Sequence, residues 1–425
     1  MTGTEQRSRV LDWSILKGSA VIGVAIAVMN VSTYGYTVIA AHTLGTEPYG
    51  AFSALMGALL VISVLSLGLQ ATGARRISAH PGQVHSIERV VLDVGLRSAV
   101  VLGAVCLLLA PVLNQVLRLG SLPTALLIPL GAVPLTYMGA QAGVLQGERR
   151  WVPLALLYLA SGVPRLAIGT SLILVSPSEF MAMLGVALGM WIPVVVGFIA
   201  LRRPRATLPD AEGHPHLELI REVAVSSQAL LGFFALTNAD ILIARASMSS
   251  EQAGLYAGGL IMVKAILFLP QFVVIIAFPS MSSQGASRKT LAAALGVSAF
   301  FGACGVLATF LFPDLALIFV GGDAFADISA DLWKFAIVGT LLAMLQLLVY
   351  SALARRQGRA VVFLWTGLAV LVVAALTLTS ATSLVALVVA IDTAVFAVLF
   401  VLALAATPSK PALDAGVVSA PPRAS

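Results

Sequence analysis

The sequence predicts an all-α polytopic membrane protein: about twelve transmembrane helices in two six-helix bundles related by a parallel repeat. Composition, the length of the apolar runs and the placement of charge carry that prediction. Hydrophobic residues make up 59% of the 425-residue chain and charged residues 10%, against roughly 25% charged in a soluble domain. That is too little polar surface to cover a water-soluble body. The apolar runs are about 20 residues long, enough to cross a hydrocarbon core roughly 30 Å thick. Inside that core every backbone polar group needs an internal partner, so the runs are helices or strands of a closed barrel. Barrel strands alternate apolar and polar residues; runs such as 361–376 do not. They read as helices.

Residues 1–17 carry Val10, Leu11, Trp13, Ile15 and Leu16 among Arg7, Arg9 and Lys17, the pattern of a short amphipathic helix on the cytoplasmic membrane surface. The first apolar run exceeds the roughly 7–15 residues of a signal-peptide core and reads as a retained helix. The predicted spans are 18–41, 49–73, 98–118, 122–146, 151–175 and 179–201, then 223–245, 253–281, 290–320, 330–354, 360–380 and 382–406. They make an N-terminal bundle over 18–201 and a C-terminal bundle over 223–406, joined by a cytoplasmic linker at 202–222. Residues 74–97 form the longest loop, and Pro313 places Asp314 near the outer surface. The tail 407–425, rich in Pro, Ala and Ser, is expected to be disordered.

Charge placement orients the chain. With the N-terminus inside, twenty of the 25 Lys and Arg residues fall in cytoplasmic segments, among them Arg75, Arg76, Arg149, Arg150 and Arg221. Only Arg118, Arg245 and Lys334 fall outside, and Arg165 and Lys264 lie within spans. Such a bias sets both ends in the cytoplasm by the positive-inside rule. The expected location is a bacterial inner membrane. The net charge of +6 encodes topology and does not point to nucleic acid.

The two halves echo one another. At an offset of 204 residues, Glu47, Gly50 and Phe52 pair with Glu251, Gly254 and Tyr256. Gln146-Gly147 similarly echoes Gln357-Gly358. An even number of spans per half makes the repeats parallel, with an axis along the membrane normal and a cavity between the bundles, an arrangement suited to alternating access.

No enzyme chemistry is visible. The chain has no P-loop with its Lys and Ser/Thr, no His/Cys/Asp/Glu cluster at metal spacing, and no external segment long enough to hold a polymerase acceptor. No cofactor is expected. Cys106 and Cys304 sit in apolar runs as packing residues. The chemistry-bearing residues are four charges within spans: Arg165, Asp240, Lys264 and Asp392. Each costs roughly 2.5–3.5 kcal/mol at a helix centre unless it finds a partner or water. Asp240 and Lys264 differ in depth by roughly 9 Å, which a lysine side chain largely spans, so an ion pair between them is the structural alternative to a binding role. For Asp392 that alternative is a hydrogen bond to a neighbouring helix. Asn30, Gln228, Asn238, Gln271 and Gln346 read first as hydrogen bonds between helices, with Asn30 also a substrate-side candidate.

The run His42-x-Leu-Gly-x-x-x-Tyr49-Gly50-x-Phe52 with Arg75 a helix later, then Asn238-Ala-Asp240, Gly254-x-Tyr256-x-x-Gly and Phe278-Pro279, resembles the polysaccharide-type lipid-linked oligosaccharide flippases. That family belongs to the superfamily that also holds multidrug and toxin extruders. The resemblance covers 18–406 in layout and is sharp over 37–76 and 238–282. It implies a flippase that carries a polyprenyl-linked sugar from the inner to the outer leaflet, within the bilayer and beside polysaccharide-assembly enzymes. Arg165, Lys264, Asp240 and Asn30 would bind the head group, because a diphosphate in hydrocarbon needs pairing or water. Asp392 would be the H⁺ or Na⁺ coupling site, or a packing residue if the membrane potential alone drives export. Two other readings stand beside this one: a drug/cation antiporter of the extruder type, and a non-transporting scaffold whose intramembrane charges are paired and dry.

Overall fold

The computed structural model describes residues 4–202, 216–281, 288–354 and 358–405, with side chains described outside 4–19, 225–226, 268–281, 288–290 and 353–354. Among the described residues there are helices and turns and no strands. Seven helices form the first half: α1 (Thr4–Leu44), α2 (Thr46–Ala79), α3 (Val84–Val116), α4 (Leu122–Gly147), α5 (Trp151–Val175), α6 (Glu179–Gly189) and α7 (Trp191–Leu201). The second half holds α8 (His216–Ser247), α9 (Ser250–Met281), α10 (Arg288–Leu311), α11 (Pro313–Val320), α12 (Leu332–Ala354), α13 (Gly358–Ala375) and α14 (Ala381–Ala405). Eleven spans among the described residues are long and apolar enough to cross a membrane; α9 is the twelfth long helix. Helices α6 and α7 share one span, broken at Met190, with Pro193 in the first turn of α7. Proline fits a first turn because its missing N–H would be unpaired there anyway.

Three expectations change. The backbone of residues 4–17 continues into the first span as one helix; the amphipathic face expected there lies outside the described side chains. The loop expected at 74–97 is two helix ends that meet at a single 3-10 turn, Pro81–Gln83. Hydropathy marks where a helix leaves lipid, not where it ends. The run 290–320 is two helices, because Pro313 starts α11 and so lies at a helix N-terminus. Gly321 and Gly322 follow at φ +142° and +73°, a backbone that only glycine adopts without strain. They lead into a 3-10 segment, Gly322–Asp331. Most of the linker and the tail 407–425 lie outside the described residues, and α8 already begins at His216.

The bundles share one packing scheme. In the first, α1 packs on α5, α2 and α3 on α4, and the sixth span on α4 and α5; in the second, α8 packs on α13, α9 and α10 on α12, and α14 on α12 and α13. Small residues allow the close crossings, as membrane helices require without a hydrophobic drive between them. On α4, Gly139, Gly143 and Gly147 face Ser66, Gln70 and Ile77 of α2. A β-carbon on Gly143 would stand 2.7 Å from the Gln70 carbonyl oxygen, and backbone cannot rotate away. Gly143→Val is therefore expected to destabilise the protein by about 1–3 kcal/mol, read as a lowered unfolding temperature in detergent.

Between the bundles the packing is asymmetric. Helix α2 lies along α8 from Gly57, beside Asn238 and Ile241, through Gly68, beside Val223 and Ser227, to Arg76, which donates to Glu222 at 2.7 Å. Its repeat mate, the seam of α1 and α9, makes the lesser contact. At the opposite end from Arg76, the repeat mates Gly50 and Gly254 touch each other: a β-carbon on Gly50 would stand 2.9 Å from Gly254 Cα. Tyr49 meets Phe325 edge-on at 6.0 Å on the same level. The two membrane faces are thus marked by Gly50 and by Arg76.

Candidate functional site

The second bundle holds three of the four intramembrane charges together. Asp240, on α8 and 3% exposed, accepts from the Tyr256 hydroxyl at 2.6 Å and from the Ile241 N–H at 2.8 Å. Tyr256, on α9, is fully buried against Phe335, ring centroids 5.3 Å apart. Lys264 lies two turns further along α9, half-buried, within electrostatic reach of Asp240. No carboxylate comes within 4 Å of it among the described residues. The direct Asp240–Lys264 pair considered from the sequence does not form, because Tyr256 on the nearer turn occupies the carboxylate. Asp392, on α14 and 2% exposed, also feels the Asp240 charge. Its Oδ2 is buried without a hydrogen-bond partner among the described residues, so the interhelical hydrogen bond considered for that carboxyl is not made through that oxygen.

Arg165 stands apart, in the first bundle. Pro164 precedes it within α5 and removes a helical hydrogen bond one turn back. Gly189 of α6 lets the chains close here: a β-carbon on it would stand 2.9 Å from Arg165 Cα. Among the described residues, the half-buried Arg165 has its Nε enclosed without a hydrogen-bond partner, and the group that interacts with its charge is Tyr36. The Tyr36 hydroxyl is itself committed, donating to the Ala182 carbonyl at 2.7 Å. Asn30 belongs to the neighbouring α1, one residue from Met29, whose backbone meets Gly162 of α5. Asn30 and Arg165 therefore sit on adjoining levels of the α1–α5 seam. The amides of Asn238 and Gln346 bond within their own helices, to the Phe234 carbonyl and the Tyr350 hydroxyl, and among the described residues they do not bridge helices as expected. Gln271 lies outside the described side chains.

The arrangement separates two chemistries. Two buried carboxyls on contacting helices, one with an oxygen unpartnered among the described residues, are suited to hold a proton or a small cation, which would offset the cost of burying their charge. A guanidinium without a counter-charge among the described residues, in the opposite bundle, is suited to an anionic or strongly polar group. Tyr256 emerged from the sequence as the repeat mate of Phe52 and as part of the Gly254-x-Tyr256-x-x-Gly motif, with no site role; its distinguishing sign is the hydroxyl that Phe52 lacks.

No family model matches the chain, and no curated protein matches it. Solved structures do. The chain is similar to an inward-facing multidrug resistance MATE family transporter of the MOP superfamily, with TM-score 0.70 and 14% identity over 92% of this chain and 97% of that one. It is also similar to an outward-facing MATE family transporter, with TM-score 0.62 and 14% identity over 92% and 95%. A third likeness is to the MATE multidrug transporter DinF-BH in a ligand complex, with TM-score 0.60 and 15% identity over 95% and 96%. At these identities the likeness is one of fold: a MATE-like arrangement of twelve helices in two bundles.

Proposed function

We propose that the chain is an alternating-access membrane transporter, with the Gly50 face outside and the Arg76 face in the cytoplasm, that exports an organic solute in exchange for H⁺ or a monovalent cation. The observation that carries this reading is two buried carboxyls, Asp240 and Asp392, on the contacting helices α8 and α14, one with an oxygen unpartnered among the described residues, set in a MATE-like fold. A carboxyl there gains little as packing, because an ionised group without a partner costs several kcal/mol in such a site. It gains a role if a proton or cation occupies it in one conformation and leaves in the other. The comparisons bear on this extruder reading more directly than on the flippase reading.

A flippase for a polyprenyl-linked sugar is the second reading, favoured by one specific observation: Arg165 has no counter-charge among the described residues. With Lys264 also lacking a direct ion pair among those residues, two fixed cations are available to a diphosphate. The slighter α1–α9 seam would let a prenyl tail stay in lipid while its head group enters. A scaffold that needs no polar cavity has no use for an unpaired arginine.

The two cargo readings separate in proteoliposomes. The extruder reading expects uptake of an organic cation such as ethidium to follow an imposed H⁺ or Na⁺ gradient, and to survive or improve in Arg165→Ala. The flippase reading expects a lipid-linked diphosphate sugar to cross, with Arg165→Ala reducing transport roughly tenfold and Arg165→Lys restoring part of it. If the organic cation stays outside under every gradient while the lipid crosses, the extruder assignment fails.

A further inference from the structure

Two of the three basic residues that break the positive-inside pattern, Arg118 and Arg245, reach each other's helix ends. Arg245, in the last turn of α8 and 3% exposed, donates from Nε to the Leu117 carbonyl at 2.8 Å and from Nη2 to the Arg118 carbonyl at 2.9 Å. Those carbonyls lie just past the C-terminus of α3. Arg118 in turn donates from Nη1 to the Met248 carbonyl at 2.8 Å and from Nη2 to the Ala246 carbonyl at 3.0 Å, at the C-terminus of α8. Each cation thus caps the negative end of a helix in the other bundle, where charge and hydrogen bonding act together.

The backbone is shaped for this exchange. Arg118 closes α3 with its N–H on the Gln115 carbonyl at 3.3 Å, and Leu119 N–H reaches back to the Asn114 carbonyl at 3.0 Å. This is a left-handed helix cap, with Arg118 at φ +48°, a position where glycine is the usual residue. Holding an arginine there costs about 1–2 kcal/mol, and the gain is the side chain that crosses to α8. Among the described residues, the hydrogen-bond acceptors of Arg245 and the charges that act on it belong to the first bundle: the two carbonyls, the favourable charges of Glu47 and Glu179, and the opposing charge of Arg118. Among the described residues its Nη1 is buried with no partner, so the closed form leaves there a hydrogen bond unmade that water would satisfy on opening. The repeat provides no second copy, since the positions 204 residues away are Gly322 and Ala41.

We propose that Arg118 and Arg245 form a reciprocal latch between the bundles on the Gly50 face, which holds the inward-facing conformation and releases when the outer side opens. The latch rests on the alternating-access reading above. It agrees with the better superposition on the inward-facing transporter, TM-score 0.70 against 0.62 for the outward-facing one. Toward the Arg76 face α2 and α8 are held by ion pairs of Glu222 with Arg75 and Arg76, which partly exposed side chains make and break at little cost, and by apolar packing of Leu219 and Val223 with Leu69 and Ile77, which has to part when the inner side opens.

Spin-label distances test it. With Cys106 and Cys304 replaced by alanine, labels at Val175 and Leu376 report the outer separation of the bundles, and labels at Val152 and Val362 the inner one; all four positions are exposed. Arg245→Ala and Arg118→Ala are each expected to lengthen the outer distance by several ångströms and shorten the inner one. Arg245→Lys, which keeps the charge but cannot fork across two carbonyls, is expected to lie between. Should Arg245→Ala not fold, Arg118→Ala decides, since its side chain is exposed. Unchanged distances, or an outer change without an inner one, would make the contact a permanent hinge or a local tie and overturn the latch. Alternating access is judged separately, by whether a saturating ion gradient moves either distance with both arginines in place.

Discussion

A chain carrying Gly254→Val is expected to fold and insert, yet to lose export by at least tenfold, because the outer face can no longer close. A β-carbon built on Gly254 would run into the backbone carbonyl of Thr46 in α2. On the reverse side a β-carbon on Gly50 would meet Gly254 Cα at 2.9 Å and its nitrogen at 3.0 Å. Neither neighbour is a side chain that can swing aside. Forcing such a contact costs about 1–3 kcal/mol, and every 1.4 kcal/mol shifts a two-state balance about tenfold. The cost falls only on the conformation in which α2 and α9 touch, so the protein accumulates open to the outside and is not unfolded. Gly50→Ala, whose contacts begin at 2.9 Å, is expected to show a weaker form of the same effect. The outer and inner label distances would report the shift, and a vesicle assay the lost transport. Full export by Gly254→Val would mean that these glycines serve packing alone and that the closure lies elsewhere.

That contact shows what the sequence could and could not convey. The correspondence of Gly50 with Gly254, and of Phe52 with Tyr256, is legible because the same local geometry calls for the same residue types twice. That the two glycines meet is not legible, since only the repeat axis brings mates together. Span number was legible because bilayer thickness fixes run length. The form of 74–97 was not, because helices continue past the lipid with polar residues that hydropathy discounts. Among the site residues, sequence identified the charges but not their partners. Asp240 and Lys264 differ in depth by roughly 9 Å, a gap a lysine side chain largely spans, yet the Tyr256 hydroxyl reaches the carboxylate from a nearer turn. Arg118 and Arg245 were visible only as breaches of a charge rule, because their partners are backbone carbonyls, which leave no trace in residue identity.

Asp392→Asn is expected to reduce ion-driven export roughly 5- to 150-fold, the range of typical coupling free energies, while leaving folding intact. Asparagine keeps the shape of the carboxyl, so packing on α14 survives. What it removes is the ability to take up a proton or a cation beside Asp240. The Asp392 Oδ2 is buried with no hydrogen-bond partner among the described residues, and the Asp240 carboxylate is already occupied by Tyr256 and Ile241. Asp392 is therefore the member of the pair with capacity to spare. The competing expectation is export driven by potential alone. A doubly charged diphosphate moving outward would gain about 4–5 kcal/mol at 100 mV, at roughly 2.3 kcal/mol per charge, and would need no ion. That gain vanishes if Arg165 and Lys264 neutralise the cargo and move with it, and an ion then becomes necessary again. Vesicles in which the potential and the H⁺ and Na⁺ gradients are imposed separately distinguish these cases. Coupled export follows an ion gradient at zero potential and loses that dependence in Asp392→Asn, with potential-driven flux unchanged. If Asp392→Asn keeps its full response to the gradient, Asp392 is a packing residue after all, and the coupling site must be sought among other groups.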